Sequence, residues 1–450
     1  MEYKVIGKRI KRYDGMAHVT GETRYVDDIY VPGTLVVKAL RSPVHKGKLQ
    51  SIDVSEAEKM PGVAGVITNE DVPNPFQDQP VLAVNIRYKG EPIAAVAAVD
   101  EETALAALAK IKVKIEEQVP VFDPIEAMKP DAPKVRPEGN FYMFGKYPFR
   151  KVVFGDVEAG FKEADHIIEG EYFHPMHEQV PMETWVCLAV PEPDGRLTVY
   201  TQSQGIHLSL GWLESVLHAE PGSPKTAKWA DRTRRRGITG FSDIKLIGGF
   251  CGGAFGGKMD VQADHLPCIL ALKTGRPCKW RWTREEENLY STRRGPWIIK
   301  IKDGVKKDGR IVARQIKAIR DAGAYTSFNA YAVDKYSFLA TGPYFIPNVY
   351  VEAYCVFTNK VYHHAMRGFG ITHSAFSTEV QMNKIAAELG IDPWEIRFIN
   401  AYHNGDRSPT RRVLDSVYLI ETMQELARKA GVTLPDKLMK MTSAERGQAQ

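Results

Sequence analysis

Apolar and polar positions alternate along two pairs of segments, and each pair is joined by Asp-Gly. Residues 186–190 and 197–200 flank Asp194-Gly195, and residues 297–301 and 311–319 flank Asp308-Gly309. A period of two broken by Asp-Gly predicts β-hairpins. Residues 35–40 predict a further strand, and Ile111, Val113 and Ile115 alternate with lysines at the period of a half-buried one. Helical spacing predicts helices over 100–110, 262–273, 374–389 and 417–430. Pro267 falls inside the second of these, and proline suits a helix only near its start. Ser55-Glu56-Ala57-Glu58 reads as a capping box opening a short helix, which Pro61-Gly62 stops. The expected fold class is α+β, with mixed sheets and helices.

The same pass divides the chain. Residues 1–118 read as one α+β domain. Residues 119–148 contain six prolines, which predicts an extended linker lying along a surface. Residues 149–432 form the larger unit, and 433–450 read as a polar tail, frayed from Ala444 onward.

Composition changes this picture little. At 450 residues, 44% apolar and 26% charged, the chain has room for about two or three ordinary globular domains. A net charge of +5 allows an anionic ligand without demanding nucleic acid. There is no apolar run long enough for a membrane span, and the N-terminus lacks an apolar signal region. The five cysteines form no CxxC pair, which argues against a disulfide framework, a zinc site or an iron–sulfur cluster carried by this chain. A reducing, cytoplasmic setting is expected.

Two glycine loops carry the candidate chemistry. One is Cys251-Gly252-Gly253-Ala254-Phe255-Gly256-Gly257-Lys258, and the other is Ala365-Met366-Arg367-Gly368-Phe369-Gly370. Glycine serves where a backbone needs positive φ or close approach to a ligand. Bare loops expose N–H groups that suit anions, and the second loop adds a guanidinium and precedes a helix start. Together they point to a large anionic cofactor. Gly252 to Lys258 nearly matches the phosphate-binding loop GxxxxGK[ST], but Met259 stands where the magnesium-binding hydroxyl belongs. A P-loop-like nucleotide-binding protein is therefore the rival reading. The dinucleotide fingerprint GxGxxG is absent, since the glycines fall in pairs. His174-x-x-His177 and His363-His364 lack a third ligand at a regular spacing. Arg232-Thr-Arg-Arg-Arg236 is too short a basic run to demand nucleic acid.

The paired loops, followed by a helix and Leu389-Gly390-Ile391-Asp392-Pro393, resemble the molybdenum hydroxylases of the xanthine dehydrogenase and aldehyde oxidase type. Residues 20–28 (TGETRYVDD), Arg41-Ser42-Pro43-x-His45 and residues 88–96 (YKGEPIAAV) are similar to that family's hammerhead domain. The resemblance runs from about residue 5 to residue 432. It implies an α/β hammerhead domain followed by the first molybdopterin-binding domain. It implies a molybdenum-molybdopterin cofactor, in the cytosine dinucleotide form. Thr201-Gln202-Ser203 matches the family segment whose glutamine hydrogen-bonds an oxygen ligand of the metal, so that role passes to Gln202. By resemblance Gly253, Ala254, Phe255 and Gly256 lie at the metal. Met366, Arg367 and Gly368 contact the pterin side, and Phe369 stacks the substrate. No protein atom ligates the metal directly.

Two departures bear on substrate. Met259 replaces an acidic residue of the purine hydroxylases, and Thr326 replaces their substrate-binding arginine. Oxidation of xanthine itself is not expected, nor is carbon monoxide oxidation, since the cysteine loop it needs reads Arg367-Gly368-Phe369. An electron-poor N-heteroaromatic substrate is expected, with an aldehyde or aromatic acyl-CoA as the alternative. The family's general-base glutamate lies in a G-x-G-E motif absent here. Either the chain is a fragment, or the glutamate is expected on a second molybdopterin subunit, with [2Fe-2S] and FAD subunits carrying electrons away.

Overall fold

Both Asp-Gly segments form the expected hairpins, and each seeds a separate sheet. The computed structural model describes residues 3–218, 238 and 240–444. By internal contacts these fall into two compact units. One joins Met1–Gln118 to Gln179–Ser291, and the other joins Val119–Glu178 to Thr292–Gln450. The boundaries expected from the sequence follow the chain, whereas these units interleave along it. Residues 149–432 are distributed over both.

The first unit is built on a seven-stranded sheet. Its order is Ile244–Gly248, Leu197–Thr201, Val186–Pro191, Cys278–Arg281, Leu35–Arg41, Pro92–Ala98 and Val63–Ile67. Gly195, at φ +94°, closes the hairpin between Val186–Pro191 and Leu197–Thr201. Leu35 pairs in parallel with Cys278, which welds the N-terminal strands to a strand some 240 residues away. The core contains Trp185, Trp280 and Trp282, with Leu266, Ile269 and Leu270 of the helix His265–Thr274. That helix is buried on every face from His265 to Leu272, so its sequence shows little amphipathic period. Pro267 falls in its first turn, where the missing N–H costs nothing. A second sheet pairs Gly47–Asp53 with Asn85–Ile86 and Lys112–Glu117.

Several local expectations need correction. The helix Ser55–Glu58 has Val54 at its N-cap with no side-chain cap, because Ser55 is itself helical and gives its N–H to Asp53 Oδ1 at 3.0 Å. The strand after residue 111 is mostly exposed, and only Ile111 before it is buried. The proline-rich stretch is more than a surface strap. It contains the short helix Pro124–Ala127, and Val121, Ala127 and Val135 enter the core of the second unit. In the expected polar tail, Leu434 and Leu438 are buried against Phe398, Ile420 and Met423.

The second unit carries a five-stranded sheet ordered Phe149–Phe154, Val349–Phe357, Ile311–Gly323, Trp297–Val305 and His166–His174. Helices Asn329–Phe338 and Ile371–Leu389 contribute Val333, Tyr336, Met382 and Ile385 to its core. Inside it, Arg314 donates to both oxygens of Asp303, at 2.8 and 2.9 Å, with both side chains fully buried. Among the described residues no helix is long and apolar enough to cross a membrane. The basic run Arg232–Arg236 lies outside the described residues.

Candidate functional site

In the first unit, two chain segments meet beside the end of the strand Leu197–Thr201. Thr201 O accepts from Gly249 N–H at 2.9 Å, and Gln204 N–H donates to Lys258 O at 2.9 Å. This seats Gln202 next to the glycine loop. An amide one residue past a strand would ordinarily face water, but Gln202 is 0% exposed. Its Nε2 donates to Thr184 O at 2.8 Å and more weakly to Val186 O at 3.4 Å. Its Oε1 is buried with no partner. Both amide hydrogens are engaged, and what Gln202 offers is an acceptor.

The loop itself is drawn into an unusual shape. Gly253 and Gly256 have φ of +104° and +99°, and Phe255 between them has φ of +53°. An aromatic residue in the left-handed region is a genuine outlier and marks a conformation imposed from outside. Phe255 is also 43% exposed, a large ring held open rather than packed away. A Cβ on Gly253 would lie 3.3 Å from the Phe255 ring and from Pro181, so the ring folds over bare backbone. Ala254 is buried, and Met259 is half-buried at the end of the single 3-10 turn Gly257–Met259.

Lys258 decides the phosphate-loop question. It is 1% exposed, and its Nζ donates to Glu183 O at 2.7 Å and Glu183 Oε2 at 3.1 Å. A phosphate-binding lysine must reach outward to the ligand. This one points inward and is already paired.

Beneath the loop sits Asp264, fully buried against the Thr201 hydroxyl and the Cys187 thiol. Burial pushes its pKa up to about 6, the nearby Thr201 hydroxyl and Cys187 thiol oppose that without reaching hydrogen-bond geometry, and the Asp260 charge adds to it. Its neighbour His265, tilted on Phe76 at 5.1 Å, is driven down to about 3 by burial.

The second loop lies in the second unit. His363 and His364 pair with Arg293 and Arg294, and the chain then turns through Gly368 and Gly370, at φ of +82° and +78°, into the helix Ile371–Leu389. Arg294 anchors this turn by donating to Arg367 O and to Thr372 Oγ1, the latter at 2.5 Å. The Arg367 side chain is exposed, while Met366 and Phe369 are half-buried. Phe369 lies 6.5 Å from Phe328 and 5.9 Å from Tyr331, so it sits beside the turn that carries Thr326. The Thr326 hydroxyl accepts from Arg136 Nη1 at 3.0 Å. His174 and His177 have ring centroids 5.2 Å apart, and the described residues hold no cluster that could bind a metal.

Sequence reasoning missed Glu183, Gln204 and Arg294, and missed that Lys258 turns inward. No local pattern marks them. Each acts on a loop through a partner distant in the chain.

A family profile for the molybdopterin cofactor-binding domain matches residues 138–223 and 239–401. Another, for the hammerhead domain of aldehyde oxidase and xanthine dehydrogenase, matches residues 20–119. The chain belongs to the molybdenum hydroxylases, the xanthine dehydrogenase and aldehyde oxidase family. It is 36% identical over 88% of its length to a probable xanthine dehydrogenase subunit of Bacillus subtilis, spanning 51% of that protein. It is 31% identical over 95% of its length to the nicotinate dehydrogenase large molybdopterin subunit of Eubacterium barkeri, spanning 97% of it. The aldehyde oxidoreductase structure from Desulfovibrio gigas superimposes with a TM-score of 0.83 at 30% identity, covering 93% of this chain and 46% of that one. The chain thus spans about half the length of most of these relatives and nearly all of one.

The residues present fit the cofactor this family binds. An orphaned buried acceptor on Gln202 stands beside a glycine cradle, and a strained aromatic ring stands open above it. That set suits a flat group with polar edges and backbone-contacting oxygens.

Proposed function

We propose that this chain is the molybdopterin-binding subunit of a multi-subunit molybdenum hydroxylase, hydroxylating an electron-poor carbon of an N-heteroaromatic substrate. The cofactor, as the cytosine dinucleotide, supplies the oxidation, with water as the oxygen source and two electrons leaving through [2Fe-2S] and FAD subunits. The observation carrying this reading is the orphaned Oε1 of fully buried Gln202. Leaving an acceptor buried and unpaired costs about 1–3 kcal/mol, so a donor group of the cofactor is its natural partner.

In this reading Gln202 orients the cofactor's edge, and the amides of Gly253 to Gly256 approach it with no side chain in the way. Phe255 keeps water from the reacting face. In the second unit, Met366, Arg367 and Gly368 keep the pterin-binding role, and Phe369 the substrate-stacking role, that the family resemblance implies. Met259 and Thr326 stand where the purine hydroxylases carry an acidic residue and an arginine, which disfavours xanthine. The general base is a glutamate of a second molybdopterin subunit. Support for a heteroaromatic substrate comes from the 31% identity to a nicotinate dehydrogenase subunit. The likeness to an aldehyde oxidoreductase structure favours a second reading, in which the substrate is an aldehyde.

Purifying the complex and assaying nicotinate, quinoline and benzaldehyde with an artificial electron acceptor separates these readings. Turnover of a heteroaromatic ring with incorporation of oxygen from labelled water supports the first. Turnover of the aldehyde alone supports the second.

A further inference from the structure

Both ends of the glycine loop are tied to one carboxylate. Glu183 Oε2 accepts from Gly252 N–H at 2.7 Å, and Glu183 N–H donates back to Gly252 O at 3.2 Å. The same Oε2 accepts from Lys258 Nζ at 3.1 Å, and Lys258 Nζ also donates to Glu183 O at 2.7 Å. One residue on another segment thereby holds the first glycine and the closing lysine of the loop. Gln204 adds a third tie, accepting from Gly256 N–H at 2.9 Å and donating its own N–H to Lys258 O. The fit is close. A Cβ on Gly252 would stand 2.6 Å from Glu183 Cβ.

A loop with four glycines in six residues has more backbone freedom to lose than an ordinary loop of that length. Left to itself it would not hold Phe255 at φ +53° with its ring exposed. Something must over-determine that conformation, and Glu183, Gln204, Pro181 and Gln179 pack or bond against the loop while its own Lys258 turns back onto Glu183. A buried ammonium beside a carboxylate is a costly device for stability alone, since well-packed apolar residues do as well. It is an effective one for fixing a geometry.

We propose that Glu183 and Lys258 are positioning residues that hold Phe255 and the loop amides in cofactor-ready geometry. This rests on the reading of the chain as a molybdopterin-binding subunit. Neither residue touches the reacting atoms. They act through the loop.

The test compares the purified complex with Glu183→Gln, Lys258→Met, Lys258→Arg and the double variant Glu183→Gln/Lys258→Met. Molybdenum and pterin content, the molybdenum(V) resonance spectrum, hydrogen exchange of residues 250–258, and kcat and KM are all measured. The single variants are expected to accelerate exchange in the loop while the sheet strands stay protected. They are also expected to alter the molybdenum(V) line shape and to lower kcat by ~10- to 100-fold with KM little changed, because small misplacements cost that much. Lys258→Arg, which keeps the charge, recovers part of kcat. If a single variant fails to assemble, the double variant, which leaves no buried charge, decides. It is expected to assemble with an unprotected loop and lowered kcat. Parent-like exchange, spectrum and kcat in the double variant overturn the proposal. A parent complex lacking both molybdenum and pterin overturns the underlying reading instead, and the proposal with it.

Discussion

Gln202 is marked out by its neighbours in sequence, while its burial is set by the fold. Its position after a strand and before Ser203 was legible, but its burial was not, because that depends on Thr184 and Val186 from another segment. Gln202→Ala is expected to leave the complex assembled and lower turnover about 100-fold, the usual effect of removing one polar group aimed at a reacting centre. Steady-state kinetics on the assembled variant check this, and unchanged kcat contradicts it. Beside it, Asp264 and His265 pull stability in opposite directions with pH. The Asp264 pKa is raised to about 6 from 3.8, so its folded form holds a proton that the unfolded chain has released. Its contribution is present below about pH 4 and lost as pH rises through about 6. The His265 pKa is lowered to about 3 from 6.5, so its contribution is present above 6.5 and lost as pH falls toward 3. Asp264→Asn removes only the first effect. Its Tm should therefore climb more steeply between about pH 4 and pH 6 than that of the parent. Parallel Tm curves contradict the assignment.

Among the elements, those written in local chemistry were legible and those written in distant pairing were not. Asp194-Gly195 and Asp308-Gly309 carry their turn signal in two residues, and both hairpins form. The helix Ile371–Leu389 was also legible, because Gly370 before it and Gly390 after it punctuate a long apolar period. The parallel pairing of Leu35 with Cys278 has no local signature, since a parallel partner is chosen by burial and topology. The glycine loop was visible as a loop, but its clamp was not, because Glu183 lies 75 residues before Lys258. Within the second unit, Gln381 of the helix Ile371–Leu389 donates to Asp303 Oδ2 at 3.1 Å, which ties that helix to the buried Arg314–Asp303 pair. Asp303→Asn strands a buried guanidinium and should cost about 3–5 kcal/mol in denaturant unfolding. The double variant Asp303→Leu/Arg314→Met should recover most of that loss. A single-variant cost below about 1 kcal/mol would show that the pair does not brace the helix.

At the scale of the whole molecule, the family was legible because its signature is distributed along the chain, from Thr20 to Pro393, and chance cannot assemble so many matches. The division into units was not, since each unit is stitched from two separated segments. Profile matches over 20–119, 138–223 and 239–401 agree with the family reading along most of the length. The account depends on one claim, that this chain carries a molybdopterin cofactor. The direct test is metal and pterin analysis of the complex purified from its native source. The account predicts about one molybdenum and one molybdopterin for each copy of this chain, released together on denaturation. An intact, correctly assembled complex with neither molybdenum nor pterin would contradict it.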